Sequence, residues 1–374
     1  MIKVSGTVIH LVTNEFRPRI GGIASYCQGL AEGIRSLDHP VTVHCPGPPD
    51  EENPGSFTIS PFGGRGTQDP DDLLRLFRVF QKRISNRPED TLILAEPGPI
   101  KAMLLFSPFL KRMPGRVWVV IHGSEIVRMH ANPVWRTLLS RFGNRVSRFG
   151  VVSEHTRHLV EERFPEWRDR IVIAHPGLDS AWRADHPGKV PSKSQIRLLT
   201  VARLHPRKGQ QDVIAALNRV RIPEGMSLSY TLVGSGTRPA YRGELENAGS
   251  RCQHQVRFLG ELAGHDLHQA FSESDIFIMA SRDDPRSIES FGIVYLEAGA
   301  AGLPVIATDI GGVRDAVNVN ESALLVPPGD PNALTEAIQL LVDDPERRHR
   351  MGKKGCSFAS SFQWEASARA LLGI

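Results

Sequence analysis

The sequence predicts an α/β protein of two doubly wound, Rossmann-like domains, and three observations carry that prediction. The chain has 374 residues, more than one core of ordinary size uses and enough for two. Short apolar runs without polar alternation recur between amphipathic stretches, the pattern of parallel strands covered by helices on both faces. The pattern lapses once, across residues 184–194, where Pro187, Gly188, Pro191 and four serines or lysines replace any apolar period, and then it restarts.

In chain order, the first half predicts strands at residues 4–12, 41–45, 91–95, 117–121, 149–152 and 171–174, with helices beginning near Gly22 and Pro133. Residues 184–194 read as the interdomain linker. The second half predicts strands at 198–202, 230–233, 256–259, 276–279, 305–307 and 324–326, with helices at 209–220 and 291–301. A last helical stretch, 363–372, carries Trp364 and is expected to return to the first domain. The expected division is therefore 1–184 completed by 358–374, and 195–357.

Hydrophobic residues make up 40% and charged residues 23%, a soluble globular balance. Cys27, Cys45, Cys252 and Cys356 form no C-x-x-C pair and no finger-like spacing with histidine, so no structural zinc or disulfide framework is expected. A cytoplasmic setting follows, since no signal-peptide pattern opens the chain and no run approaches about 18 apolar residues. Net charge is +4, and the excess is N-terminal: residues 1–190 hold 25 Lys and Arg against 20 Asp and Glu. Residues 73–83 alternate apolar side chains with Arg75, Arg78, Lys82 and Arg83. Two readings fit that stretch: a helix lying on the anionic inner face of a membrane, and a packed helix with a solvated basic face. Nucleic acid is not an expected partner, because the cations are not interleaved with a stacking or groove-binding motif.

Near the C-terminal end, Glu289 and Glu297 stand eight positions apart across Ser290-Phe291-Gly292-Ile293. Gly292 marks a helix start, so the amides of Phe291, Gly292 and Ile293 should be unpaired and partly positive, a place that suits a diphosphate. Eight helical residues would span roughly 12 Å, about the length of a nucleoside diphosphate sugar. One carboxylate could then take ribose hydroxyls and the other the sugar. In Arg203-Leu204-His205-Pro206-Arg207-Lys208-Gly209, Arg203 and Lys208 belong at the carboxyl edge of the second sheet, where they would neutralise a departing diphosphate, while Arg207 reads as solvated. Gly21-Gly22-Ile23 opens the first helix and matches neither a dinucleotide fingerprint nor a P-loop. His122 follows an apolar strand and precedes Gly123, placing it at a strand end in the first domain facing the cleft between domains. Glu125 and Ser153-Glu154-His155 read either as acceptor contacts or as helix caps.

Together these segments resemble the retaining glycosyltransferases of family four, over nearly the whole chain; residues 11–26 and 275–306 are most similar to bacterial phosphatidylinositol mannoside mannosyltransferases. The resemblance implies a two-Rossmann-domain, GT-B type fold and a metal-independent enzyme with no cofactor beyond its nucleotide-sugar substrate. It implies Arg203 and Lys208 on the diphosphate, the amides of Phe291, Gly292 and Ile293 on donor oxygens, and Glu297 on the ribose. Glu289 would hold the sugar hydroxyls and His122 would orient the sugar. Gly21, Gly22 and Ile23 would lie near the phosphate, and the strand end at Arg257, Leu259 and Gly260 near the base. The implied partners are a nucleotide-sugar donor, GDP-mannose ahead of UDP-glucose or UDP-N-acetylglucosamine, and a glycan or lipid-linked acceptor. Residues 281–288 are charged where those mannosyltransferases are richer in glycine, which bears on the sugar. Rival classes are a UDP-sugar 2-epimerase and a non-catalytic nucleotide-sugar-binding protein.

Overall fold

Strands buried on both faces are written as largely apolar runs, and the computed structural model places such runs at the centre of two parallel sheets. It describes residues 7–47, 57–66, 69–84, 87–110, 113–183, 194–236, 238–284 and 287–374. The expected linker therefore lies outside the described residues except for Ser194.

In the first unit the strands are β1 (Ile9–Val12), β2 (Val41–Cys45), β3 (Thr58–Pro61), β4 (Thr91–Leu94), β5 (Arg116–Ile121), β6 (Arg148–Val151) and β7 (Ile171–Ile173). They pair all-parallel in the order β3-β2-β1-β4-β5-β6-β7. The order reverses at β1, so the loops after β1 and β4 diverge and leave a crevice at the carboxyl ends of the strands. On one face Val12, Leu92, Leu94, Val119 and Ile121 form a core with Leu76, Val79 and Phe80 of the helix Pro70–Val79 and its π-helical extension. Burying each such side chain stabilises the fold by about 1.5–3 kcal/mol. Sequence reading misses β3, a half-exposed edge strand that ends in proline and lacks the apolar run.

The second unit contains β8 (Gln195–Val201), β9 (Ser227–Val233), β10 (Gln255–Gly260), β11 (Ile276–Met279), β12 (Val305–Thr308) and β13 (Ala323–Val326), again all parallel, in the order β10-β9-β8-β11-β12-β13. Here the reversal lies at β8.

The units comprise Met1–Gly177 with Phe362–Ile374, and Leu178–Ser361, rather than dividing at 184 and 358. Packing accounts for both shifts. Trp182 lies 4.0 Å from the ring of His268 and 5.0 Å from that of Phe271, which ties residues 178–183 to the second unit. At the other boundary, the helix Pro345–Ser360 runs unbroken against the helix Ile293–Ala300 and takes residues 358–360 with it. The terminal helix Trp364–Leu372 packs in the first unit against the helix Gly22–Ser36. A methyl group at Gly29 would overlap the Trp364 ring and one at Gly33 its backbone, so these glycines permit the close approach.

Candidate functional site

The second unit gathers its charge through one tight turn. After β8 the chain makes the turn Pro206–Lys208 and passes through Gly209 at φ 67, a left-handed conformation that disfavours a side chain. Any Cβ at Gly209 would also overlap the Ala280 carbonyl. Only glycine brings the turn this close to the end of β11, and the consequence is a contact across 81 positions of sequence. Lys208 Nζ donates to Glu289 Oε2 at 2.7 Å and Arg207 Nη1 donates to the same oxygen at 3.0 Å, with Ser281 Oγ at 3.4 Å. The side chains of Lys208, Arg207 and Glu289 are 13%, 9% and 8% exposed. Burial pushes the Glu289 carboxyl up, but the charges of Lys208 and Arg207 outweigh it and hold the carboxyl below its usual range. Burial, with Arg207 and Arg203 adding repulsion, holds the Lys208 ammonium below its usual range despite Glu289. The expectation that Arg207 is solvated is corrected: its guanidinium is buried because a carboxylate from another loop receives it.

Gly292 precedes the helix Ile293–Ala300 at φ 89, and a Cβ there would sit 2.5 Å from the Tyr295 ring. This glycine turns the chain sharply after Glu289, leaving Glu289 outside the helix and Glu297 inside it. Glu289 Oε1 accepts no hydrogen bond among the described residues. Glu297 is half-buried, and its carboxylate likewise has no hydrogen bond or ion pair among the described residues. Burial first, then the charge of Asp179, pushes its pKa up to about 7. Phe291 is buried beneath this turn, and Ile293 begins the helix. Arg203 follows β8 with its carbonyl held by Gln210 Nε2 at 2.9 Å and its side chain exposed. Arg257 is not brought into the group: it lies on the exposed face of edge strand β10 and donates to Gln255 Oε1 at 2.7 Å. Leu259 is 49% exposed and Gly260 ends the strand at φ 73. Of the charged loop 281–288, residues 285 and 286 lie outside the described residues.

In the first unit, Gly21 and Gly22 open the helix Gly22–Ser36, and Ile23 is its second residue. Gly21 is extended, and a Cβ at Gly22 would meet no heavy atom within 4 Å, so the chain's own packing does not demand glycine there. His122 follows β5, and its Nε2 lies 2.9 Å from the Ala95 carbonyl. A carbonyl only accepts, so Nε2 is the donor in this contact. Tyr26 meets the ring edge-on at 5.2 Å, and the buried Glu125 accepts the His122 backbone N–H. Glu125 thus braces the strand end, and Ser153 caps the helix Glu154–Arg163 through the Thr156 amide.

Sequence reading missed Glu96. It is 1% exposed, accepts from the Asn14 and Gly98 amides at 2.9 and 2.7 Å, and is pushed by burial up to about 7. Its only signal is an acid directly after a strand and before Pro97-Gly98, which reads as an ordinary helix cap.

With the geometry in view, comparison with known proteins gives consistent matches. The model for "Glycosyltransferase Family 4" matches residues 20–182, and that for "Glycosyl transferases group 1" matches 183–357. A GDP-mannose-dependent alpha-(1-6)-phosphatidylinositol monomannoside mannosyltransferase of Mycobacterium tuberculosis is 29% identical, over 96% of this chain and 96% of its own. A D-inositol 3-phosphate glycosyltransferase of Corynebacterium glutamicum is 32% identical over 55% of this chain and 51% of its own. Among solved structures, Anabaena HepE in complex with UDP and glucose matches with a TM-score of 0.77 at 18% identity, covering 98% of each chain. Sucrose-phosphate synthase of Thermosynechococcus elongatus matches with a TM-score of 0.74 at 22% identity, covering 97% of this chain and 96% of its own. At those identities the structures speak for the fold, that of the GT-B glycosyltransferases. The two family models meet at 182/183 and between them span residues 20–357, and the chain belongs to glycosyltransferase family 4.

Proposed function

We propose that the protein transfers mannose from GDP-mannose to a hydroxyl of a glycan or lipid-linked acceptor, retaining anomeric configuration and using no metal ion. The observation that carries this reading is the pair of part-buried cations, Lys208 and Arg207, set on Glu289 beside the glycine-opened start of the helix Ile293–Ala300. A diphosphate placed there meets side-chain cations and backbone N–H groups together. Arg203 and Lys208 would take the diphosphate with the amides of Phe291, Gly292 and Ile293. Glu297, whose carboxylate has no hydrogen-bond partner among the described residues, would take ribose hydroxyls, and Glu289 Oε1 a sugar hydroxyl. His122 Nδ1 would accept from the sugar, and Gly21 to Ile23 would leave room for a phosphate. The β10 end at Leu259 and Gly260 would border the base.

In the proposed step the anomeric C1–O bond breaks toward the diphosphate, whose departing oxygen takes the acceptor's hydroxyl proton. The acceptor oxygen then bonds C1 on the same face, so no carboxylate nucleophile is required. Lys208 and Arg203 stabilise the charge that develops on the leaving group. Supporting the mannosyl donor, a relative aligned over 96% of both chains is a GDP-mannose-dependent mannosyltransferase. For the independence from metal, the support is that the proposed diphosphate ligands are side-chain cations and amides.

Among the described residues no helix is long and apolar enough to cross a membrane. Arg75, Arg78, Lys82 and Arg83 lie exposed on one stretch, while Leu76, Val79 and Phe80 face the core. Contact with an anionic inner membrane face would thus be electrostatic and salt-sensitive.

The test is a panel of GDP-mannose, UDP-glucose and UDP-N-acetylglucosamine, each with EDTA, scored for nucleotide release and for product anomeric configuration by NMR. GDP release with an α-linked mannosyl product is expected. Turnover of only a UDP-sugar would reassign the donor, a free epimerised sugar would make the protein an epimerase, and a requirement for added metal would overturn that part of the reading.

A further inference from the structure

We propose that Glu289 serves the unliganded protein as an internal stand-in for the donor's diphosphate, and that Arg207 is a further cation of the diphosphate site. The inference deepens the donor reading above and rests on it. One oxygen, Glu289 Oε2, receives Lys208 at 2.7 Å and Arg207 at 3.0 Å, so two cations share a single negative charge. All three side chains are at most 13% exposed. The group carries a net positive charge out of water, at a cost that one carboxylate does not offset. Neighbouring cations are satisfied differently: Arg282 binds Asp212 through two bonds, at 2.7 and 2.5 Å, and Arg314 binds Asp309 likewise, at 2.7 and 2.5 Å. Those arginines form complete one-to-one pairs. The uncompensated charge is therefore localised on Lys208 and Arg207, beside the first amides of the helix Ile293–Ala300.

An entering diphosphate supplies the missing negative charge, and Glu289 opposes it. Lys208 has three donors and Arg207 five, so both can turn toward phosphate oxygens without first releasing the carboxylate. Neutralising Glu289 should consequently tighten a bare diphosphate while removing the oxygen that meets the sugar. A residue that only binds sugar would leave bare diphosphate affinity unchanged, and one that only positions Lys208 would weaken it when altered.

The experiment is calorimetric titration of pyrophosphate, GDP and UDP into wild type, Glu289→Gln and Arg207→Gln, with transfer rates measured in parallel. Glu289→Gln is expected to bind pyrophosphate at least about fivefold more tightly while transferring more slowly, and Arg207→Gln to bind it about tenfold more weakly. Equal or weaker pyrophosphate binding by folded Glu289→Gln overturns the stand-in role, and unchanged binding by Arg207→Gln overturns the assignment of Arg207. Should Glu289→Gln not accumulate as folded protein, titrating wild type against sodium chloride with pyrophosphate replaces it. A salt slope near zero then overturns the excess-charge argument, and a steep one supports it. Wild type that binds pyrophosphate but neither nucleotide sinks the nucleotide-sugar reading alone, whereas wild type that binds GDP or UDP with Glu289→Gln no tighter sinks this inference alone.

Discussion

Both sheets reverse strand order at their first strand and both present loop residues at the carboxyl ends there, yet the charge they gather differs in kind. In the second unit two part-buried cations meet one carboxylate oxygen beside a helix start. After β4 and β5 the first unit sets the buried Glu96 and Glu125 on backbone amides, and His122 on a backbone carbonyl. The same doubly wound frame thus builds one edge suited to an anion and one whose charges are already satisfied by its own backbone. Topology fixes where a ligand can sit, and loop chemistry decides which ligand it is.

The largest expected effect breaks the comparison if it is absent. Lys208→Ala should lower transfer by at least about a hundredfold, since it removes a buried cation aimed at developing diphosphate charge. Arg203→Ala should cost less, because its side chain is exposed and solvent screens it. Steady-state kinetics on variants with wild-type circular dichroism would check both, and near-normal turnover by Lys208→Ala would remove the anion from the second unit's edge.

One carboxyl at each edge is pushed up to about 7, and the two environments give that shift different meanings. Both oxygens of Glu96 are occupied by amides, so its titration should appear in stability. Its folded pKa is raised from 4.5, so the contribution to stability is fully present below pH 4.5 and is lost as pH rises toward 7. Between pH 5 and pH 8 wild type should lose about 2 kcal/mol relative to Glu96→Gln, measured by urea unfolding at each pH. Parallel pH profiles for the two proteins would show that Glu96 does not titrate in the fold.

Much of the frame was legible in the sequence. The runs at 41–45 and 276–279 are strands with those bounds: 276–279 is apolar throughout, and in 41–45 every second residue is apolar and buried. β3 was illegible for the opposite reason: it is half-exposed and its last residue is proline. At the site, Lys208 and Glu289 could be named from strand-end and helix-start chemistry, but their pairing could not. That contact depends on Gly209 packing against Ala280, a relation between distant loops that no local pattern encodes. Arg207 was misread because a cation between proline and lysine in a turn is usually solvated, and only the carboxylate arriving from position 289 buries it. Glu96 escaped notice because a helix-capping acid looks the same at the surface and in the interior.

The smallest expected effect sharpens the contrast between Glu96 and Glu297. The Glu297 carboxylate has no hydrogen-bond partner among the described residues, so its titration should appear in binding. Ribose hydroxyls donate to an ionised carboxylate, and with a pKa of about 7 the free protein holds mostly the protonated form at pH 6 and the ionised form at pH 8. If only the ionised form binds, apparent affinity for a nucleoside diphosphate scales with the ionised fraction and rises about tenfold between pH 6 and pH 8. The ligand's terminal phosphate titrates over the same range, so a single profile does not isolate the carboxyl. Glu297→Gln keeps the phosphate's contribution and removes the carboxyl's, and the difference between the two profiles reports Glu297 alone. Calorimetry at pH 6, 7 and 8 should show the gap between wild type and variant widening as pH rises, whereas a constant gap would mean that the ribose does not meet this carboxylate.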